Sequence, residues 1–139
     1  MNFSLYALLC LAAAMAIVQA YHPRDPKPLP PTDVACGLLP EKLITREDCQ
    51  KALRQFTQEQ GAITWERDDH YRSCGTCTLS ISQPSINKPT ETHHVANYEY
   101  AFVAMDQSIE RCHGASSNAT TGRVTVSLSA GNGQVCKDN

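Results

Sequence analysis

The motif with the strongest suggestion of catalysis is Cys74-Gly75-Thr76-Cys77. Thiol oxidoreductases place Cys-x-x-Cys at the start of a helix, where the amide dipoles stabilise the attacking thiolate. Here Cys77 leads into an alternating run that ends at Ser82, and such a run is typical of a half-buried strand. Because the activating helix is missing, we expect each cysteine to form a structural bridge with a distant partner.

The cysteine count supports a disulfide framework. The chain has seven cysteines, of which Cys10 lies in an apolar N-terminal run. An even number of the others in a short secreted chain predicts that all are bridged, although the sequence does not choose among the pairings. These six are Cys36, Cys49, Cys74, Cys77, Cys112 and Cys136.

The remaining polar clusters are better explained as solvated loops than as catalytic or metal sites. A metal site needs spaced ligands that converge on one ion, and a general acid–base pair needs a cleft that shifts its pKa values. A polar turn between strands, or two adjacent histidines, offers neither. We therefore predict no metal, no cofactor and no enzymatic activity. The residues considered are Glu66, Asp68, Asp69, His70, His22, His93, His94 and His113.

One triplet predicts a modification. Asn118-Ala119-Thr120 is an N-glycosylation sequon within a stretch of small and polar residues that is typical of a loop. Such triplets are also common by chance, so Asn118 is a candidate site only.

The clearest secondary-structure signal is a helix that begins after Thr45. The Thr45 hydroxyl can cap the free amides, and Asp48 follows three residues later. Apolar side chains recur at helical spacing from Cys49 to Phe56, and Gly61 is well placed to end the helix. A second helix is predicted from about His94 to Cys112.

Four strands complete the prediction, and they order the chain as β-α-β-β-α-β. We expect an α+β domain of the ferredoxin-like, split βαβ type, with one antiparallel sheet and both helices on one face. The strands are Val34–Leu39, Ala62–Glu66, Thr76–Ser82 and Arg123–Ser129, with a polar turn at 67–70 and a loop between Pro84 and Pro89.

This arrangement suggests how the cysteines pair. Cys49 and Cys112 lie on inner helix faces, whereas Cys36 and Cys77 lie on strands, so helix-to-sheet bridges fit the two layers. Cys136 would then tie down the C-terminal tail, with Cys74 as the favoured partner.

The N-terminal segment predicts export. Residues 1–20 contain a continuous apolar run from Ala7 to Val18 and end at Ala20, as a secretory signal peptide does. The run is too short for a stable membrane anchor. Residues 21–32 hold five of the eight prolines and predict an extended arm, which leaves residues 33–139 as one disulfide-rich domain.

The charge balance excludes two classes of partner. The formal net charge is −2 at neutral pH, and the first twenty residues contain no Asp, Glu, Lys or Arg. A nucleic-acid binder needs a basic stripe, and a membrane-surface binder needs a polybasic patch. We therefore expect no nucleic-acid partner and no binding to a membrane surface, whereas the N-terminal segment predicts a secreted, extracellular protein without a membrane span.

Taken together, these features resemble small secreted cysteine-rich proteins of filamentous fungi, and more specifically effector-like proteins with the fold of the virally encoded smut killer toxin subunits. The resemblance covers about residues 33–137. The motifs that carry it are Asp48-Cys49, Cys74-Gly-Thr-Cys77, Ile109-Glu-Arg-Cys112 and the terminal Gly-x-Val-x-Val-x-Leu strand. It implies release into host tissue or transfer into host cells, and action through contact with another protein, in some members as half of an effector pair.

Three functions from different classes remain open. The first is an effector or virulence-type protein that binds a host protein through exposed strand edges and loops. The second is a killer-toxin-like antimicrobial protein that acts on competing cells. The third, and the least favoured, is a secreted thiol-disulfide or other enzyme.

Overall fold

The computed structural model describes residues 27–83 and 93–137, so the signal-peptide prediction, the first half of the proline-rich arm and the loop between Pro84 and Pro89 lie outside the described residues. Within these ranges the chain forms eight strands and two helices. They are β1 (Thr32–Cys36), α1 (Arg46–Arg54), β2 (Thr57–Glu59), β3 (Ala62–Glu66), β4 (Tyr71–Cys74), β5 (Cys77–Ser82), β6 (His93–Asn97), α2 (Tyr98–Cys112), β7 (Ser117–Thr121) and β8 (Val124–Ala130).

The larger sheet has five antiparallel strands in the order β1-β7-β8-β5-β4. In two of its inner strands, β5 and β8, apolar side chains alternate strictly with hydroxyl side chains. Leu79 lies opposite Leu128, and Ile81 lies opposite Val126, so that four apolar side chains form one buried patch. Since strand side chains alternate between faces, the intervening serines and threonines cover the other face.

Both helices cover the apolar face of this sheet. Helix α1 packs on β4 and β5, helix α2 packs on β1, β7 and β8, and the two helices contact each other. The buried residues of each helix recur at helical spacing and meet the patch described above. They are Cys49, Ala52, Leu53, Ala101, Ala104, Met105, Ser108 and Cys112.

The smaller sheet has three antiparallel strands in the order β2-β3-β6. Its β2–β3 hairpin turns at Gln60 and Gly61, which both have positive φ angles, 50° and 81°. Two consecutive residues of this kind are typical of a type I′ turn, whose twist matches that of the flanking strands. Ile63 and Trp65 of β3 are buried and join the core.

This hairpin corrects the prediction that the first helix extends to Gly61. The helix ends at Arg54, and residues 57–59 pair with β3 instead. Gly61 does supply a positive φ angle, as expected, but it does so in a hairpin turn rather than in a helix cap. Strand pairing with β3 thus outweighs the helical preference of this short polar segment.

The second helix also starts later than predicted. It begins at Tyr98, and His93–Asn97 form β6, which pairs with β3. The boundary is set by Asn97, whose side-chain oxygen accepts a hydrogen bond from the Tyr100 backbone amide at 3.1 Å. This is the ordinary action of an asparagine N-cap.

The α+β class with antiparallel sheets is confirmed, but the split βαβ arrangement in one sheet is not. Strand β3, predicted as part of that sheet, lies in the second sheet. Strands β4 and β7 were not predicted, because neither shows a run of large apolar residues. The first strand covers Thr32–Cys36 rather than Val34–Leu39.

Three disulfides join these layers, and their pairings follow the helix-to-sheet expectation. Cys49–Cys77 links α1 to β5, Cys36–Cys112 links β1 to the end of α2, and Cys74–Cys136 holds the C-terminal tail. The Cα–Cα distances are 5.1, 5.4 and 5.3 Å respectively. The Cys49–Cys77 bridge is fully buried, whereas the other two each have one partner nearer the surface.

Removal of the buried bridge is expected to destabilise the domain most. We predict that the Cys49→Ala, Cys77→Ala double variant loses about 2 to 5 kcal/mol in free energy of unfolding, measured by urea denaturation. The matched control is Cys74→Ala, Cys136→Ala. Although this bridge closes the longer loop, with a separation of 62 residues against 28, the control should lose less, because Cys136 is only partly buried and the released tail also gains conformational entropy in the folded state. A larger loss in the control would contradict this ranking.

Candidate binding surface

The Cys-x-x-Cys motif lies in the β4–β5 hairpin, with Gly75 and Thr76 as its turn. Cys74 and Cys77 are directly opposite each other in the strand register, yet each is bonded to a different, distant cysteine. All six cysteines in the described residues are in disulfides. The motif therefore anchors α1 and the tail to one hairpin.

A carboxylate holds this hairpin against the start of α1. The Asp48 carboxylate accepts hydrogen bonds from the Thr76 amide at 2.8 Å and from the Thr76 hydroxyl at 2.7 Å. Thr45 caps the helix by accepting from the Asp48 amide at 3.4 Å, as the sequence predicts. The Thr45 amide in turn donates to the Thr76 hydroxyl at 3.0 Å.

These contacts lower the pKa of Asp48 below its ordinary value of 3.8. The largest cause is the hydrogen bond from the Thr76 amide, because it stabilises the ionised carboxylate. Partial burial opposes the effect, whereas the Thr76 and Thr45 side chains and the charge of Lys51 add to it.

The C-terminal tail closes over the same hairpin. The Gly131 amide donates to the Thr76 carbonyl at 2.9 Å, the Gly75 amide donates to the Gln134 carbonyl at 2.7 Å, and the Gly133 amide donates to the Gly75 carbonyl at 2.9 Å. A Cβ atom on Gly131 would overlap the backbone of residues 75–77, so this close approach requires glycine.

The segment between β1 and α1, residues 37–45, lies beside the hairpin and is called the leucine loop below. Backbone hydrogen bonds hold it at both ends. The Gly37 amide donates to the Ser116 carbonyl at 2.6 Å, the Ser116 amide donates to the Leu38 carbonyl at 3.1 Å, and the Ile44 amide donates to the Gly114 carbonyl at 2.9 Å. Buried Ile44 and the adjacent Cys36–Cys112 bridge fix it further.

Although its backbone is held in place, the leucine loop exposes three leucine side chains to solvent. Leu38 is 86% exposed, Leu39 69% and Leu43 56%. Val135 in the tail is 86% exposed. Scattered single apolar residues on a surface are ordinary, but a contiguous apolar patch is typical of an interaction site.

A depression of about 410 Å³ separates the leucine loop from the tail. Pro40, Glu41 and Lys42 line it on the loop side, and Gly131 and Asn132 line it on the tail side. The two segments thus border one concavity, and the three exposed leucines are not among the residues that line it.

Leu38 and Leu39, predicted to end the first strand, lie in a loop instead and are exposed. Consecutive leucines in a strand point to opposite faces, and they cannot both face one core. Gly37 before them and Pro40 after them are further signals of a loop. Together these features identify a loop rather than the end of β1.

The polar clusters considered from the sequence occupy separate places. Asp69 forms a bidentate ion pair with Arg72, at 2.7 and 2.8 Å, and so stabilises the turn before β4. His94 stacks on Trp65 with ring centroids 5.7 Å apart. His113 has a left-handed backbone conformation at the end of α2. Within residues 27–83 and 93–137, no three histidine, cysteine or acidic side chains are grouped so as to hold a metal.

Asn118, the sequon asparagine, lies on β7 and not in a loop. Its side chain is exposed on the face of the five-stranded sheet opposite the helices, where the Ser127 hydroxyl donates to its Oδ1 atom.

The comparisons with known proteins add no identity. No protein-family model, no curated protein and no solved structure matches the chain. Among the described residues, no helix has the length and apolar character needed to span a membrane.

The Asp48 contacts predict a specific pH dependence. Because the folded-state pKa is lowered, the ionised carboxylate adds stability above pH 3.8, and this contribution is lost as the pH falls through the folded-state value. At pH 7, Asp48→Asn should lower the free energy of unfolding by on the order of 1 to 2 kcal/mol. As the pH falls below 3.8 through the folded-state pKa, the difference between the variant and the wild type in urea denaturation should shrink. A difference that is independent of pH would contradict this role.

Gly75 supplies a second test of the same contact. Gly75 and Gly61 both have positive φ angles, so alanine should cost about 1 to 2 kcal/mol at each. Gly61 has open space at its Cβ position, but a Cβ on Gly75 would overlap the Asp48 carboxylate. We therefore expect Gly75→Ala to lower the urea midpoint more than Gly61→Ala does. Equal losses would show that the Asp48 contact is dispensable.

Proposed function

We propose that this chain is a secreted, disulfide-stabilised effector-type protein that acts by binding another protein at a host–microbe interface, and not by catalysis. The observation that carries the proposal is the leucine loop, a backbone held by several hydrogen bonds and a neighbouring disulfide that nevertheless exposes three leucines.

The rigidity of the loop favours binding energetically. Burying apolar surface contributes about 25 cal/mol per Å², and an exposed leucine forgoes that contribution until a partner covers it. A mobile loop would lose conformational entropy when a partner orders it. Since the leucine loop is already held in place, most of that cost does not arise on association.

The charges support a protein partner over a nucleic acid. Glu41 and Lys42, of opposite sign, lie between Leu39 and Leu43. Protein interfaces commonly combine an apolar centre with a polar rim, whereas nucleic-acid surfaces are dominated by basic side chains. We infer that the leucines form the centre of the contact and that these two charges select the partner's orientation.

The extracellular location is supported by the disulfides and the N-terminal sequence. Three disulfides in a small domain are consistent with an oxidising compartment. The resemblance to fungal effector-like proteins with the killer toxin subunit fold adds a proposal about the partner. The leucine loop would contact a host protein or a second effector, and transfer of the protein into host cells is part of the same hypothesis.

Charge substitution in the leucine loop should abolish capture of the partner. We predict that Leu38→Glu, Leu39→Glu lowers capture at least tenfold, because buried charges in an apolar contact are costly. The probe is the purified secreted protein with a photo-crosslinking residue at position 43. It is incubated with extracellular fluid and with tissue extract of the host, and crosslinked species are identified by mass spectrometry.

The control is Val95→Glu, which places the same charge at a 55% exposed aliphatic residue on β6. This variant should retain capture, and both variants should keep the wild-type urea midpoint, since all the replaced side chains are exposed. Equal capture by the wild type and the leucine variant would refute the proposal. A parallel loss in Val95→Glu would show that the leucine loop is not the contact.

A further inference from the structure

The five-stranded sheet has an outer face, which is the face opposite the helices. This face carries mostly small polar side chains and almost no charge. Their hydroxyls pair across strands, as Thr120 with Thr125 at 2.9 Å and Thr78 with Ser73 at 2.9 Å. Asp33 is the one charged residue among the strand positions of this face that the structure describes. The strand residues that form it are Asp33, Ala35, Tyr71, Ser73, Thr78, Ser80, Ser82, Asn118, Thr120, Thr125, Ser127 and Ser129.

Asn118 lies in this face between two small residues. In the strand register Ala35 of β1 is on one side and Ser127 of β8 is on the other. The Ser127 hydroxyl donates to Asn118 Oδ1, which orients the side-chain amide and leaves Nδ2 directed away from that contact. The structure shows no acceptor for Nδ2 among residues 27–83 and 93–137.

The small side chains around Asn118 leave a depression of about 320 Å³ in the outer face. Gly37, Ser116, Ser127 and Ser129 line it together with Asn118 itself. Its walls therefore combine hydroxyl groups with bare backbone. Hydroxyls and amides are the groups that recognise a sugar ring through hydrogen bonds.

We propose that Asn118 carries an N-linked oligosaccharide whose first N-acetylglucosamine lies in this depression and covers the outer face beside β1. The proposal rests on export through a eukaryotic secretory pathway, which is part of the proposed function. It adds a chemically defined occupant for a depression that Gly37 of the leucine loop borders but that none of the three exposed leucines lines.

The modification requires a lipid-pyrophosphate-linked oligosaccharide as donor. Asn118 Nδ2 attacks C1 of the first sugar, the bond from C1 to the pyrophosphate oxygen breaks, and the lipid pyrophosphate leaves. Nδ2 keeps one of its two protons and gives the other to the leaving lipid pyrophosphate, directly or through solvent, and no electron transfer takes place. The Oδ1 atom is unchanged, so it still accepts from Ser127.

Position in the fold dictates when this step occurs. Strand β7 pairs with β1 on one side and β8 on the other, and the Thr120 hydroxyl of the sequon pairs with Thr125. A transferring enzyme needs the sequon as an accessible, extended segment. The sugar is therefore attached before β7 enters the sheet, during synthesis of the chain.

The sugar would also protect a vulnerable edge. Strand β1 is the end strand of the five-stranded sheet, so the backbone groups on its free side lack a strand partner. Such edges pair readily with other chains unless charge, proline or a covering group blocks them. An oligosaccharide on the neighbouring strand, opposite Ala35, places bulk beside this edge.

The test expresses the full chain, including residues 1–20, in yeast and analyses the secreted protein by mass spectrometry before and after endoglycosidase H. We expect the wild type to carry one oligosaccharide at Asn118 that the enzyme trims to a single sugar. Thr120→Ser should keep the modification, because serine also completes a sequon. Thr120→Ala and Asn118→Gln should both lose it.

The position of the sugar is tested on the trimmed, ¹⁵N-labelled protein by NMR. Nuclear Overhauser contacts should join the acetyl group of the sugar to Ala35 or Ser127, and amide shifts relative to both unmodified variants should include these two residues. The amide of Val95, in the smaller sheet, should not shift.

The possible outcomes distinguish three claims: export of the protein, modification of Asn118 and the position of the sugar. A wild-type protein that is secreted without sugar refutes modification at Asn118 and leaves the proposed function intact. A protein that is neither exported nor modified refutes the predicted secretion and this proposal together. A sugar on Asn118 without contacts to Ala35 or Ser127 refutes the covering of the outer face.

Discussion

The fold depends on keeping the apolar face of a five-stranded sheet dry with only two helices. Helix α1 is nine residues long, too short to be stable in isolation, and it holds its place through tertiary contacts. The buried Cys49–Cys77 bridge and the hydrogen bonds between Asp48 and Thr76 attach the same turn of this helix to the same hairpin. One covalent and one electrostatic contact thus act on adjacent residues, and the packing of Leu53 against the sheet follows from that placement.

The outer face of the five-stranded sheet and the leucine loop differ in polarity because they arise from different structural constraints. The outer face is polar, since alternation has filled it with hydroxyls, several of which pair across strands. The leucine loop arises from a different constraint. Its residues connect the edge strand β1 to the start of α1. Hydrogen bonds to Ser116 and Gly114 hold this connection at the surface, so its leucines remain exposed to solvent. A short loop that must span two anchored ends has little freedom to hide apolar side chains.

The smaller sheet shows how local preference and tertiary pairing compete. The segment that follows Arg54 contains charged and amide residues that favour a helix, and the polar stretch before Tyr98 is equally compatible with a helix. Both become strands because β3, with buried Ile63 and Trp65, offers two free edges. Pairing with β2 and β6 satisfies the backbone hydrogen-bonding groups on both edges of β3. This stabilisation depends on distant residues and is not visible in the local sequence.

The sequence by itself determined the features that depend on local chemistry. The cap at Thr45, the alternation of β5 and β8 and the inner stripe of α2 follow from side-chain spacing, and the helix-to-sheet placement of the cysteines follows from those elements. The tertiary structure alone decided which strands share a sheet, where the weakly apolar strands β4 and β7 lie, and that Leu38 and Leu39 face water. The physical reason is that strand partners, and the burial of a loop side chain, are set by residues far away in the chain, whereas caps and periodicity are set within one or two turns.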